Sequence, residues 1–448
     1  MKKTKRTSLL LVLLLSFFSL FFVGNVNAEK LRYIVETDAG GDPDDEASLV
    51  RFMLYLNDIE LEGMIATRPE TREDNTNPQR TGLDICRSYL NAYGEVYDKL
   101  KENDPEYPTK QYLWDRTVAG YDNTDDGVNL IISIVDKDDP RPVWFSNWGT
   151  DDGTISSLKR ALDKVLAERG PEGYAVFKNK INLCSDMTYP DNKFGGHTGK
   201  IKPDWLITID TKLPDMDCGT WYWRFKPLTY KAGGFDIDAD VKTNHGPLGP
   251  LYTIQKEGDT CEFLYVLPTG LSDVNHPEWG CWAGRYGVNE TYNNPNWYWI
   301  NQRDRWERTI SRDNTLLRWA VHIQNDFKAR MDWCVKSYKE CNHEPVVVCQ
   351  DNKTTDVLYE NIKSGEDVTL SAKGTMDPDG NKLIYSWYVY PEPSSYQGEV
   401  SISNADKQEC KVSIPQDAGE KNIHIILAVT DDGSPALTRY RRVIVQAN

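Results

Sequence analysis

The apolar positions of this chain fall into two textures. Residues 31–35 form a short apolar run that enters an acidic, glycine-containing turn, and residues 47–56 (Ala-Ser-Leu-Val-Arg-Phe-Met-Leu-Tyr-Leu) follow it. That order predicts strand, loop and helix, with a second strand over residues 59–66. The pattern recurs: residues 142–145 read as a strand, residues 155–166 carry apolar positions at helical spacing, and residues 180–183 and 205–209 are further strand-like runs. Such alternation favours an α/β fold with a mostly parallel open sheet. Residues 314–336, with Leu316, Leu317, Trp319, Ala320, Ile323 and Phe327 at recurrent spacing, predict a helix that closes this first domain.

Beyond about Cys341 the apolar runs become short and are separated by turns: residues 346–348, 368–372, 383–390, 410–414 and 423–429. Strands so spaced predict an all-β sandwich of immunoglobulin-like type. The expected organisation is a segment 1–28, an α/β domain over 29–340 and a sandwich over 341–448.

Residues 1–28 read as a secretory signal. A basic start (Lys2, Lys3, Lys5, Arg6) precedes an apolar core over residues 9–23 and the small-residue stretch Val26-Asn27-Ala28. Cleavage is expected after Ala28, giving a secreted or periplasmic protein. An uncleaved anchor is the rival reading, because the apolar run approaches spanning length; the small-residue site favours cleavage. The first cysteine is Cys86, too far away for a lipoprotein anchor.

Composition narrows the classes. With 27% charged and 11% aromatic residues and no low-complexity tract, the chain is globular. Losing the four cations of the leader takes the formal charge of −16 to −20, which argues against a nucleic-acid polymer as partner. Nine cysteines permit disulfides in an exported chain, but the number is odd and no C-x-x-C pair occurs, which argues against zinc.

The candidate chemistry sits in the first turn. Glu36-Thr37-Asp38-Ala39-Gly40-Gly41-Asp42-Pro43-Asp44-Asp45 places four aspartates at the carboxyl end of a strand, where ligands of open α/β sheets bind. Carboxylates so crowded repel one another unless a cation compensates them, and hard oxygen donors suit Ca²⁺ or Mg²⁺. The competing reading is a solvated loop whose Asp44 or Asp45 caps the helix.

Strand, Asp-x-Gly-x-Asp-x-Asp-Asp and apolar helix together resemble the opening motif of the nucleoside hydrolase superfamily. Asn244-His245-Gly246-Pro247-Leu248-Gly249, Glu257-Gly258-Asp259-Thr260 and the stretch from Leu271-Ser272-Asp273 through His276-Pro277-Glu278-Trp279-Gly280-Cys281-Trp282 to Tyr286 are similar to a branch described as cellulose-binding. The resemblance covers about residues 31–340. It implies a buried Ca²⁺ held by Asp38, Asp45 and the late Asp259, and a backbone carbonyl ligand from residues 148–152. Asp38 then takes the proton of the attacking water, and Asp42 or Asp44 holds a sugar hydroxyl. Cleavage of an N-glycosyl bond through an oxocarbenium-like sugar is physically compatible with such a site. Three departures from the superfamily pattern bear on specificity: Glu36 stands where Asp is frequent, Gly258 stands where many members carry a leaving-group His, and the Asn-Glu-Phe-Asn sugar motif is not recognisable.

Other candidates have competing readings. His245 and His276 lie in Gly/Pro-rich loops and are candidates to protonate a leaving group or bind a sugar, against structural hydrogen bonding. Trp279 and Trp282 open an aromatic-rich interval and are candidates to stack on a sugar, against ordinary packing. Asp186 follows a strand-like run and lines the same crevice unless it is an ordinary turn residue. In the last domain, Asp377-Pro378-Asp379-Gly380-Asn381, Tyr385-Ser386-Trp387 and Val429-Thr430-Asp431-Asp432-Gly433 resemble the polycystic-kidney-disease type of immunoglobulin-like repeat. These are mainly turn and core signatures, with Trp387 in the core, and the domain is expected to be a spacer or a glycan-binding surface.

The expected function is a secreted Ca²⁺-dependent hydrolase of N-glycosyl or related glycosidic bonds. The alternative is a non-catalytic carbohydrate-binding protein on the same fold. The expected partner is a small glycoside or glycan, with no membrane insertion after cleavage; self-association into a homo-oligomer stays open.

Overall fold

The computed structural model describes residues 29–41, 43–71, 80–149, 156–185, 208–210, 225–226, 228–288, 297–299 and 302–448. The expected leader, Asp42, Asp186 and residues 150–152 lie outside the described residues. Among the described residues no helix is long and apolar enough to cross a membrane.

The first domain is built on β1 (Arg32–Thr37), β2 (Glu60–Ala66), β3 (Thr117–Ala119), β4 (Val143–Asn147), β5 (Ile181–Ser185), β6 (Thr208–Asp210), β7 (Gly287–Val288) and β8 (Trp297–Trp299). They form one sheet in the order β3-β2-β1-β4-β5-β6-β8-β7, parallel except for β7. Five helices of this domain are α1 (Asp44–Met53), α2 (Gly82–Asn103), α3 (Lys110–Trp114), α4 (Asp126–Val135) and α5 (Ser157–Lys178). Alternate residues of β1 face opposite layers, as the period of two requires. Tyr33 and Val35 join the large core with α1 and α2, while Ile34 joins the core under α4 and α5.

Helix α1 starts three residues before the apolar run. Pro43 precedes its first turn, and Asp44, Asp45 and Glu46 lie in that turn, where carboxylates complement the helix dipole. The single helix expected over 314–336 is two, Asn314–Leu317 and Ala320–Trp333. The ladder tightens between them, where the Trp319 N–H donates to the Leu316 carbonyl rather than to residue 315.

After the hairpin of β9 (Asp304–Trp306) and β10 (Thr309–Ser311) come seven strands: β11 (Leu358–Ile362), β12 (Asp367–Ser371), β13 (Leu383–Val389), β14 (Ser401–Ser403), β15 (Glu409–Ser413), β16 (Asn422–Asp431) and β17 (Thr438–Ala447). They form sheets β11-β17-β16-β13 and β12-β15-β14, packed face to face on Leu370, Trp387, Val412, Ile425 and Val443. The run expected as a strand over 346–348 makes only the bridge Val346–Met376.

The sandwich is not a spacer. Ile423, Ile425, Leu427 and Val429 of β16 fill its own core, while Ile426 and Ala428, on the opposite face, enter the core of the first domain together with Tyr390 and Tyr440. Arg439 pairs with Asp326 at 2.6 Å, and the Tyr390 hydroxyl donates to Asp304 at 2.5 Å.

Candidate functional site

β1 ends at Thr37 and α1 begins at Asp44, so the acidic turn spans the carboxyl edge of the sheet beside β4. Gly40 adopts φ +95°, a conformation that glycine takes without strain, and a Cβ there would lie 2.9 Å from Thr71 Cγ2. The Gly41 N–H closes the turn on the Asp38 carbonyl at 2.8 Å. Gly149, just beyond β4, comes so close to the Asp38 carboxylate that a Cβ would sit 2.6 Å from Oδ1.

Asp44, Asp45 and Asp259 converge here. One carboxylate oxygen of each lies within 4.8 Å of the others, and all three side chains are buried. Asp259 immediately precedes the short helix Thr260–Leu264, which places it opposite α1. The Thr37 hydroxyl donates to Asp45. Burial, then the charges of Asp259, Asp38 and Asp44, push the Asp45 carboxyl well above the usual carboxylate range. A bound cation would reverse that sign and leave all four carboxylates ionised; this crowding of hard oxygen donors fits Ca²⁺.

Two of the three expected metal ligands, Asp45 and Asp259, therefore lie in the cation-sized group; its third member is Asp44, expected as one of two choices for a sugar hydroxyl, while Asp38 lies beside the group and acts on Asp45. Glu36 faces the other side of the sheet. Its carboxylate accepts from Ser156 Oγ at 2.6 Å and from Ser157 N–H at 2.7 Å, and burial raises its pKa to about 6.

Four expected site residues are placed elsewhere. His245 bonds Asp332 at 3.3 Å, and neighbouring Gly246 packs on Val96 of α2. Gly40 of the acidic turn packs on Ile85, eleven residues earlier in α2. At 1.5 Å per residue the two points are about 16 Å apart along the helix, so the structure places His245 away from the carboxylates. Trp282 is 1% exposed and donates its indole N–H to the Tyr440 hydroxyl at 3.3 Å; a ring enclosed by the second domain offers no face to a sugar. His276 stacks on Trp279 at 3.6 Å and bonds Glu278 at 2.9 Å, and Trp279 also meets the edge of His424. Both belong to the domain seam.

The sequence reading missed the brace behind the site. Arg51 of α1 pairs with Glu257 through Nε–Oε1 at 2.5 Å and Nη2–Oε2 at 3.0 Å, and Nη2 also donates to Gln324 at 2.8 Å. Glu257 further accepts from the Tyr252 hydroxyl at 2.6 Å and from Thr260 Oγ1 at 3.2 Å. Arg51 lies seven residues after Asp44, on the same face of α1, and Glu257 lies two before Asp259. The pair thus fixes the helix bearing Asp44 and Asp45 against the loop bearing Asp259. The signal was a lone arginine inside an apolar helical run, which requires a buried anionic partner.

Comparison with known proteins bears on this architecture. Residues 32–286 match the family described as cellulose-binding Sde182, nucleoside hydrolase-like domain, and residues 367–447 match the C-terminal domain of cellulose-binding protein Sde0182. Among solved structures, a nucleoside hydrolase-related hypothetical protein from Saccharophagus degradans, described as associated with carbohydrate metabolism, is 33% identical. That match covers 94% of this chain and 100% of that one, with a TM-score of 0.73. The PKD domain from KIAA 1837 protein is 19% identical over 21% of this chain and 83% of its own, with a TM-score of 0.16. Comparison with curated proteins returned no match. The matched family model spans more than half of the sequence, and the chain belongs to the cellulose-binding Sde182 family with its nucleoside hydrolase-like domain.

Proposed function

We propose that this chain is an exported, Ca²⁺-dependent hydrolase of glycosidic bonds whose substrate is a glycan or an N-glycosyl compound. The observation that carries the reading is the buried convergence of Asp44, Asp45 and Asp259 beside Asp38 at the carboxyl edge of the sheet. Asp38, Asp44, Asp45 and Asp259 would hold the cation, which when bound lowers the pKa of a water and orients sugar hydroxyls.

The chain's own residues do the rest. Asp38, pressed between Gly149 and Gly41, has a fixed carboxylate that takes a proton from the attacking water. The hydroxide so formed bonds to the anomeric carbon as the glycosidic bond breaks, the leaving group takes a proton from solvent, and Asp38 returns its proton to solvent. Thr37 fixes Asp45, and the Arg51–Glu257 pair fixes the spacing of the two ligand-bearing segments.

A second reading, glycan binding without turnover, is favoured by Gly258, which supplies no side chain to protonate a leaving group beside Asp259. The test is reducing-sugar release from nucleosides and from oligosaccharides in parallel, with chelator and with Ca²⁺ restored. Turnover that chelator removes, Ca²⁺ restores and Asp38→Asn abolishes supports the hydrolase. Cation binding with no turnover on either panel transfers the reading to a binding protein.

A further inference from the structure

A second pair of carboxylates lies in the C-terminal sandwich, remote in sequence from the acidic turn. Asp377 occupies the turn between β12 and β13, and Asp431 ends β16. Asp377 Oδ1 accepts from the backbone N–H groups of Asp379 and Asn381, both at 2.9 Å. Asp431 Oδ1 accepts from the N–H groups of Gly433 at 2.9 Å and Leu437 at 3.1 Å, and from Asn342 Nδ2 at 2.9 Å. Asn342 joins the two turns, because its Oδ1 accepts from Asn381 Nδ2 at 2.6 Å.

The other oxygen of each carboxylate is different. Asp377 Oδ2 and Asp431 Oδ2 are both buried and have no hydrogen-bond partner, and Asp431 as a residue is only 1% exposed. His343, next to Asn342 in the linker, is engaged by Asp379 at 3.0 Å and not by either of these oxygens. A buried carboxylate oxygen without a donor or a cation is strongly disfavoured, and the charges of Asp377 and Asp431 repel across the Asn342 bridge. Five N–H donors hold the Oδ1 atoms, so the orientation of the Oδ2 atoms is set before any ligand arrives. Burial raises the Asp431 carboxyl above its ordinary range, and the charge of Asp377 adds to it.

We propose that Asp377 Oδ2 and Asp431 Oδ2 are ligands of a second cation site, which takes Ca²⁺ and ties the two turns to the linker at Asn342. Hard carboxylate oxygens select a cation of this class over a soft metal. The Asp377 turn also reaches the first domain through the linker, since Asp379 engages His343 and His343 bonds Asn103 of α2 at 3.1 Å, so the cation strengthens the docking of sandwich on α/β domain. The site is independent of the acidic turn and of the function proposed for it.

The experiment is calorimetric titration of Ca²⁺ into the chelator-treated full chain. Wild type is expected to bind two equivalents, Asp45→Asn one, and the triple variant Asp45→Asn/Asp377→Asn/Asp431→Asn none, or with affinity at least tenfold lower than Asp45→Asn. The asparagine oxygens keep the backbone donors satisfied, and near-UV circular dichroism checks the fold. Should the triple variant not fold, Asp377→Asn in the Asp45→Asn background is expected to lose the Ca²⁺-induced rise in Tm. Binding by the triple variant equal to that of Asp45→Asn, or no binding by Asp45→Asn, overturns the proposal; the latter result would fit a shared proton in place of the cation. Wild type that binds one equivalent, removed by Asp377→Asn/Asp431→Asn and not by Asp45→Asn, overturns the acidic-turn reading and leaves this one standing.

Discussion

Arg51→Met tests whether the Arg51–Glu257 pair fixes the site. Arg51 and Glu257 are almost wholly buried, and the two charge-assisted contacts at 2.5 and 3.0 Å leave little of the pair to water. Methionine retains most of the packing on Phe327, whose ring centroid is 3.8 Å from the guanidinium carbon, but it leaves the Glu257 carboxylate with only the Tyr252 and Thr260 hydroxyls. Removing one partner of a buried ion pair costs about 3–5 kcal/mol, largely because the other charge stays buried, whereas removing both is often close to neutral. Arg51→Met should therefore lose about that much in urea unfolding followed by tryptophan fluorescence in chelator, and Arg51→Met/Glu257→Gln should recover most of it. Ca²⁺ affinity should fall in both variants, because neither fixes α1 against the Asp259 loop. A single-variant loss under about 1 kcal/mol, or a double variant no more stable than the single, would refute the account of the pair. Full Ca²⁺ affinity in the double variant would refute the positioning role.

Gly149→Ala should lower Ca²⁺ affinity at least tenfold while costing only about 1–3 kcal/mol of stability, because its methyl would collide with Asp38 Oδ1 at 2.6 Å; unchanged affinity in a titration would contradict that contact. Trp282→Ala should cost about 3–5 kcal/mol as a core deletion, yet leave the glycan affinity of the folded protein intact. A pull-down on insoluble glycan that fails while the urea midpoint holds would restore Trp282 to a binding surface. His424 is held neutral by burial and then by Arg442, with a folded pKa of about 2 against the ordinary 6.5. The unfolded chain takes up a proton below pH 6.5 that the folded chain refuses, so stability falls as pH drops, by up to about 1.4 kcal/mol per unit from this residue. His424→Gln should show a stability–pH slope shallower by one proton between pH 6.5 and 4, and an identical slope would exclude His424 as the source.

What the sequence made legible was local or periodic. The β1–turn–α1 unit is contiguous, so its strand, its acidic loop and its helix are readable from spacing, and the alternation of strand and helix predicted the parallel sheet. What escaped was set by contacts between distant segments. Arg51 and Glu257 are separated by 206 positions, and Asp44 joins Asp45 and Asp259 because α1 starts at Pro43–Asp44 instead of at the first apolar residue. Trp282 resembles a sugar platform only until Tyr440 of the other domain covers it. One signal was present and unused: residues 423–429 are almost continuously apolar instead of alternating, as a strand buried on both faces must be, and the second face is the docking face.

The helix Ala320–Trp333 explains how the β-sandwich bears on the carboxylate cluster. Three consecutive residues of this helix point to three different supports. Gln324 receives Arg51 of the brace and donates to the Thr229 carbonyl at 3.1 Å. Asn325 donates to the Ala436 carbonyl of the sandwich at 3.0 Å, and Asp326 is held by Arg330 of the same helix and Arg439 of the sandwich. Both cations hold the Asp326 carboxyl below its ordinary range, at about 2, despite its burial. Arg330 in turn reaches Asp58, just past the end of α1, at 2.6 Å. The helix is thus fastened on one side to the segments that bear the carboxylates and on the other to β17, so the sandwich buttresses the wall against which Asp44, Asp45 and Asp259 are aligned. For the cation site proposed here, whose carboxylates repel one another, such rigidity would keep Asp44, Asp45 and Asp259 within one cation's reach, and the second domain contributes to it through packing and buried ion pairs.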